Sequence, residues 1–233
     1  MAFRFLGVGQ QTVTFQSTDG VEVTADLYVS STQNPYIILL HQAGYSRGEY
    51  REIAPKLVNI GFNCLAVDLR SGNEVNFIKN QTHIDAKSKN LPTKYIDSRP
   101  DIKAAINYIA SRTNKPIVLL GSSYSAALAL IEATDNFKVK AVVVFSPGEY
   151  FENPKLIKES TQKLFVPVLA LSSKPEFAEM EALLNHIPKK HLSLFAPSKG
   201  QGVHGAKALW DNSNSSGEYW MAITQFFSQL KIK

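Results

Sequence analysis

Apolar residues recur along this chain in two rhythms. Compact β-branched runs bounded by Pro, Gly or Asp alternate with stretches in which apolar positions return every third or fourth residue. The first rhythm is that of buried strands and the second that of helices. Near the start, Val21, Val23, Ala25, Leu27 and Val29 alternate with more polar neighbours behind an Asp19-Gly20 pair. Residues 13–15 and 21–29 are therefore predicted to form an antiparallel hairpin. Continuous apolar runs at 35–41, 62–67, 115–120, 139–145, 167–171 and 191–195 predict further strands. Helical spacing predicts helices over 46–60, from Asp97 or Ser98 to about Arg112, from Ser123 onward, and over 155–163 and 177–187. A last helix or pair of helices covers 206–230, interrupted by the polar stretch 211–217. Residues 73–94 are polar, show no period and read as a long loop, a common source of binding walls or lids.

A hairpin followed by alternating strands and helices predicts an α/β fold, an open, mostly parallel sheet with helices on both faces. Such sheets bind ligands at the carboxyl ends of their strands. With 233 residues, 44% of them hydrophobic and 19% charged, one globular domain over 1–233 is expected. The formal charge of +5 is dispersed, without a basic run or aromatic interleaving, so nucleic acid is not an expected partner. No apolar stretch reaches the length of a membrane span, and the opening residues have too short an apolar run for a signal peptide, so a cytoplasmic location is expected. The single cysteine, Cys64, lies inside an apolar run and is expected to be a small core residue. No cluster has metal-ligand spacing and no G-x-G-x-x-G follows a strand, so neither metal nor organic cofactor is implied. Oligomeric state leaves no trace in the pattern.

The chemistry concentrates at Gly121-Ser-Ser-Tyr-Ser125, between an apolar strand and an Ala/Leu-rich helix. This strand–turn–helix has the form of a nucleophile elbow, G-x-S-x-G, with Ser125 in place of the second glycine. A sharp turn there pushes the Ser123 hydroxyl out at the sheet edge, facing the next backbone N–H and the helix N-terminus. A serine nucleophile needs a base. His83, His186 and His191 read as surface residues, and His41, ending a strand, reads as a residue that shapes the following turn. His204 lies in a glycine-rich loop after the last strand and is the candidate base. Of the carboxylates between Ser123 and His204, Asp135 ends a helix pattern on the wrong edge. Glu176 and Glu149 each follow a strand; Glu176 is preferred, because its strand precedes that of the histidine, with Glu149 the alternative. Backbone N–H groups of Tyr124 and of the turn at Ala43 are candidate oxyanion donors.

These motifs together resemble the α/β-hydrolase fold family, in particular its small serine-esterase and dienelactone-hydrolase-like branch. The resemblance is carried by Leu39-Leu-His-Gln-Ala-Gly44, Ala66-Val-Asp-Leu-Arg-Ser-Gly72, Gly121-Ser-Ser-Tyr-Ser125, Pro167-Val-Leu-Ala-Leu171 and Val203-His-Gly205, in the family's order over nearly the whole chain. It implies an oxyanion role for Ala43 and an acid near Glu176. The chain departs from the family in Ser125, in a glutamate where aspartate is usual, and in a serine where dienelactone hydrolases carry a cysteine nucleophile. It has no insertion after 139–145 long enough for a helical cap. The expected activity is hydrolysis of a small-molecule carboxylic ester through an acyl-enzyme by a Ser123–His204–Glu176 triad. The alternatives are a peptidase or amidase using the same residues, or a binding protein that retains the fold without the chemistry. Tyr45, Arg47, Arg70 and Phe151 are expected rim residues, Arg70 being equally suited to a buried ion pair.

Overall fold

A computed structural model describes residues 9–134 and 136–230. Asp135 and the opening segment weighed above as a leader lie outside the described residues. The elements run β1 (Gly9–Gln16), β2 (Glu22–Val29), β3 (Tyr36–Leu40), α1 (Ile53–Asn59), β4 (Asn63–Val67), β5 (Glu74–Val75), β6 (Ile78–Lys79) and α2 (Gln81–Ser88). They continue with α3 (Arg99–Ala110), β7 (Ile117–Ser122), α4 (Tyr124–Ala133), β8 (Val139–Phe145), α5 (Leu156–Ser160), β9 (Val168–Leu171), α6 (Phe177–Leu184), β10 (Leu192–Phe195) and α7 (Ser216–Gln229). Eight strands form one sheet in the order β1-β2-β4-β3-β7-β8-β9-β10. The β1–β2 and β2–β4 pairings are antiparallel, and those from β4 to β10 are parallel. The mostly parallel sheet and its N-terminal hairpin are those read from the sequence.

Strand alternation sends residues to two apolar layers, one on each face. Ile38, Leu40, Leu119, Val142 and Val144 pack with α3, α4 and α6. Ile37, Leu39, Val118, Leu120, Val143 and Phe145 pack with α1 and α7. Cys64 is fully buried in the second layer, as expected, and burial pushes its thiol well above the usual range. The chain leaves β3 toward β4 on one side and returns to β7 on the other, so β3 and β7 flank the point where strand order reverses. The crevice outside the carboxyl ends of such strands is the natural ligand site.

Two expectations are corrected. Residues 46–60 are not one helix: a 3-10 turn at Arg47–Tyr50 precedes α1. Pro55 lacks a donor N–H and is accommodated only in a first helical turn, so α1 has to begin just ahead of it. Residues 73–94 are not a bare loop, because they contain the β5–β6 hairpin and α2. The α2 sequence has almost no amphipathic signal, and its support is tertiary. Asn80 caps it by accepting from His83 N at 2.8 Å, Asp68 accepts from Gln81 N at 2.8 Å, and Thr82 Oγ1 accepts from Thr24 N at 2.9 Å. The hairpin turn places Asn76 and Phe77 at φ of 52° and 64°. Among the described residues no helix is long and apolar enough to cross a membrane.

Candidate active site

Ser123 stands between β7 and α4 with φ 59° and ψ −123°, a left-handed conformation costly for a residue with a Cβ. The turn is held by its neighbours. Ser123 N donates to Phe145 O at 2.8 Å on the adjacent strand. The Ser125 hydroxyl donates to Leu40 O at 2.8 Å and accepts from Ser122 N at 3.0 Å, tying the elbow to the end of β3. The residue that replaces the motif's second glycine thus supplies hydrogen bonds of its own. Gly121 is needed for close approach: a Cβ there would lie 2.6 Å from Ala126 Cα.

The structure brings Glu176 to His204. Glu176 follows β9 at the N-terminal end of α6, and its Oε1 accepts a short hydrogen bond from His204 Nδ1. That bond fixes the tautomer, leaving Nε2 as an acceptor. Glu176 Oε2 accepts from Ser146 Oγ at 2.8 Å, Ser173 Oγ at 2.7 Å and Ser173 N at 3.1 Å. Burial would raise this carboxyl, but hydrogen bonds from His204, Ser173 and Ser146 outweigh it and hold it at about 2. The loop of His204 is fastened to the elbow. Ala206 N donates to Ser122 Oγ at 2.8 Å and Gly205 N donates to Ser146 Oγ at 3.1 Å. Gly205 has φ 78°, and a Cβ on it would stand 2.8 Å from Ser122 Oγ and 2.4 Å from Gln42 Oε1.

Glu149 is held elsewhere, its carboxylate accepting from Ile157 N at 3.0 Å and Lys158 N at 3.4 Å at the start of α5. Tyr124 opens α4 and Ala43 lies in the turn after β3. Among the described residues neither amide N–H is paired with an acceptor. His41 is fully buried, donating from Nδ1 to Gln42 O at 2.8 Å and accepting at Nε2 from Leu69 N at 2.9 Å. Burial pushes it down to about 4, so it shapes this turn as a neutral ring. Arg70 is not a rim residue: it is 1% exposed and paired with Asp101 at 2.6 Å and Asp19 at 2.5 Å. Arg47 is likewise engaged, by Asp68 at 2.6 Å and Asp26 at 3.1 Å.

Ser146, Ser173 and Tyr150 belong to the site and were not singled out from the sequence. Ser146 directly follows β8 at φ 49°, a strained position for serine. The only written signal for it is the Ser-Pro-Gly break that closes the strand. Tyr150 donates to Ser146 O at 2.8 Å, and its hydroxyl lies beside that of Ser123. It also lines a cavity of about 630 Å³ together with Ser71, Tyr95, Ile96, Phe151 and Leu156. Tyr95 stacks on Tyr124 with centroids 4.6 Å apart, so one wall of this cavity packs against the first residue of α4.

A left-handed serine between a parallel strand and a helix, on a turn fastened to the loop of a carboxylate–histidine pair at the carboxyl edge of this sheet, defines an α/β-hydrolase fold. Solved structures with the same fold include an esterase of Pyrococcus furiosus (16% identity, TM-score 0.68, covering 98% of this chain and 95% of that one). A dienelactone hydrolase of Anabaena variabilis is similar at 17% identity and TM-score 0.70, with 95% of this chain and 97% of that one covered. An acylaminoacyl peptidase of Pyrococcus horikoshii matches at 13% identity and TM-score 0.70, covering 99% of this chain and 43% of that one. Comparison with curated protein sequences finds no match. The profile of the dienelactone hydrolase family matches residues 23–191, and the chain belongs to that family.

Proposed function

We propose that the protein is a serine hydrolase that cleaves a small-molecule carboxylic ester through an acyl-enzyme. Ser123 Oγ attacks the acyl carbon while His204 Nε2 takes its proton, and the imidazolium then returns that proton to the leaving alkoxide. Water, deprotonated by the same nitrogen, releases the acid. Glu176 holds the imidazole in the required tautomer and balances its charge. The N–H groups of Tyr124 and Ala43 receive the tetrahedral oxyanion. The observation that carries this reading is the Glu176–His204 hydrogen bond on a loop that Ala206 N anchors, at 2.8 Å, to the residue preceding Ser123.

The aromatic and aliphatic side of the cavity beside Tyr150, formed by Tyr95, Ile96, Phe151 and Leu156 opposite a polar rim with Lys94, Asp97 and Glu152, suits an acyl or alkyl group of the ester. Hydrolysis of p-nitrophenyl esters from acetate to octanoate by wild type and Ser123→Ala tests the proposal. Activity abolished in Ser123→Ala supports it, and a Leu156→Trp variant should shift preference toward the shorter esters. Activity unchanged in Ser123→Ala sinks the nucleophile assignment. Wild type that cleaves anilides in preference to esters would make it an amidase.

A further inference from the structure

Beneath the site lies a carboxylate that the triad does not use. Glu49, in the 3-10 turn between β3 and α1, is fully buried. Its Oε2 accepts from Gln42 N at 2.8 Å, in the turn that carries Ala43. Its Oε1 accepts from Ser122 Oγ at 2.9 Å, immediately before Ser123. That same Ser122 oxygen accepts from Ala206 N at 2.8 Å, two residues past His204. One side chain therefore joins the turns carrying the candidate oxyanion donor, nucleophile and base. Its own backbone is pinned by Trp210 Nε1, which donates to Glu49 O at 2.9 Å.

We infer that Glu49 is a positioning residue of the hydrolase, whose ionised carboxylate holds the three catalytic turns in register and adds a second negative charge behind His204. This rests on the serine-hydrolase reading given above. Burying a charge without a cationic partner in contact is costly, and a purely structural link between turns would be served by a neutral amide. What the charge adds is a double acceptor. The carboxylate takes the Gln42 N–H and the Ser122 O–H together, whereas a protonated carboxyl must itself donate. A proton on Oε1 points at Ser122 Oγ and turns that hydroxyl away from Glu49, and one on Oε2 meets the Gln42 N–H, which cannot accept it. The imidazolium formed during the reaction is also stabilised by a nearby anion that cannot be screened by water.

The groups facing Glu49 are Tyr50 beside it, Tyr124 at the start of α4, and His204 and Lys207 from the segment after β10. Burial raises Glu49 to about 7, working against the bonds from Gln42 N and Ser122 and the charges of Lys207 and His204. Its ionisation thus falls within the range in which hydrolysis can be followed.

The test compares wild type with Glu49→Gln on p-nitrophenyl acetate, because the variant keeps the shape and loses the charge. Taking the ratio of their kcat values at each pH cancels every titration the two enzymes share. The expected ratio is near unity at about pH 5.5 and rises to roughly tenfold or more above about pH 8, with KM little changed. A ratio independent of pH, or an effect confined to KM, overturns the inference. Ser122→Ala, which cuts the hydroxyl link, is expected to lower kcat in the same direction, and provides the test if Glu49→Gln does not fold; a kcat unchanged there overturns the inference too. Ser123→Ala is assayed alongside. If it keeps wild-type activity, the hydrolase reading fails and the positioning role fails with it. If it is inactive while the Glu49 ratio stays flat, only the Glu49 inference fails.

Discussion

Glu176 accepts from His204 Nδ1, Ser146 Oγ, Ser173 Oγ and Ser173 N, and this convergence distinguishes it from Glu149, whose oxygens cap α5. Glu176→Gln is expected to lower kcat by about 10³-fold or more, since the amide fails to hold the imidazole in the acceptor tautomer. Glu149→Ala should leave kcat unchanged and cost about 1 kcal/mol of stability, the usual loss of a helix cap, read by urea denaturation. The Glu176 carboxyl also couples folding to pH. Its value is lowered from 4.5 to about 2 in the folded state, so the unfolded chain binds the proton first. The stability it contributes is present above pH 4.5 and lost as pH falls through about 2, and the margin of wild type over Glu176→Gln should shrink in that window. Glu49 has the opposite sign. Its raised value means that the folded state holds the proton longer, so Glu49→Gln should gain thermal stability relative to wild type as pH rises from 4.5 to about 7.

The β7–elbow–α4 unit was legible in the sequence because its pattern is local: an apolar run, small residues and an Ala/Leu helix adjoin one another. Its packing makes a sharp prediction. With Ser125 O and Ala126 Cα each 2.6 Å from a Cβ placed on Gly121, the contact is backbone against backbone and nothing flexible can give way. Gly121→Ala should therefore destabilise the fold by more than about 2 kcal/mol, or separate β7 from α4 and abolish activity, as thermal unfolding and assay together would show. The Ser146 hub and the α2 helix were not legible. Ser146 acts through a left-handed backbone and through bonds to residues 30 and 59 positions away, which no local pattern encodes. α2 depends on acceptors from Asp68 and a donor from β2 rather than on periodicity. Glu49 falls inside the stretch 46–60 predicted as one helix, off its apolar stripe of Tyr50, Ile53, Leu57 and Ile60, so nothing local marks it as buried.

Across the whole molecule, the carboxyl ends of β3, β7, β8 and β9 deliver the Ala43 turn, Ser123, Ser146 and Glu176 to one edge, and the segment after β10 returns His204 to it. The order of motifs announced this edge; the sequence alone did not show which charged residues near it are structural. Arg70, with Asp101 fully buried beside it and Asp19 across from it, fastens β4's exit to α3 and to the β1–β2 turn. Arg70→Ala leaves Asp101 buried without its partner, and an expected loss of about 3–5 kcal/mol in urea denaturation, with kcat of the folded fraction retained, would place it in the scaffold.

Covalent capture of the nucleophile bears most directly on the account. The protein is treated with an active-site phosphonate and digested, and the modified peptide is sequenced by mass spectrometry, with His204→Ala treated in parallel. A single adduct on Ser123, formed far more slowly in His204→Ala, is the expected result. An adduct on another residue, or labelling at Ser123 that does not depend on His204, would contradict it.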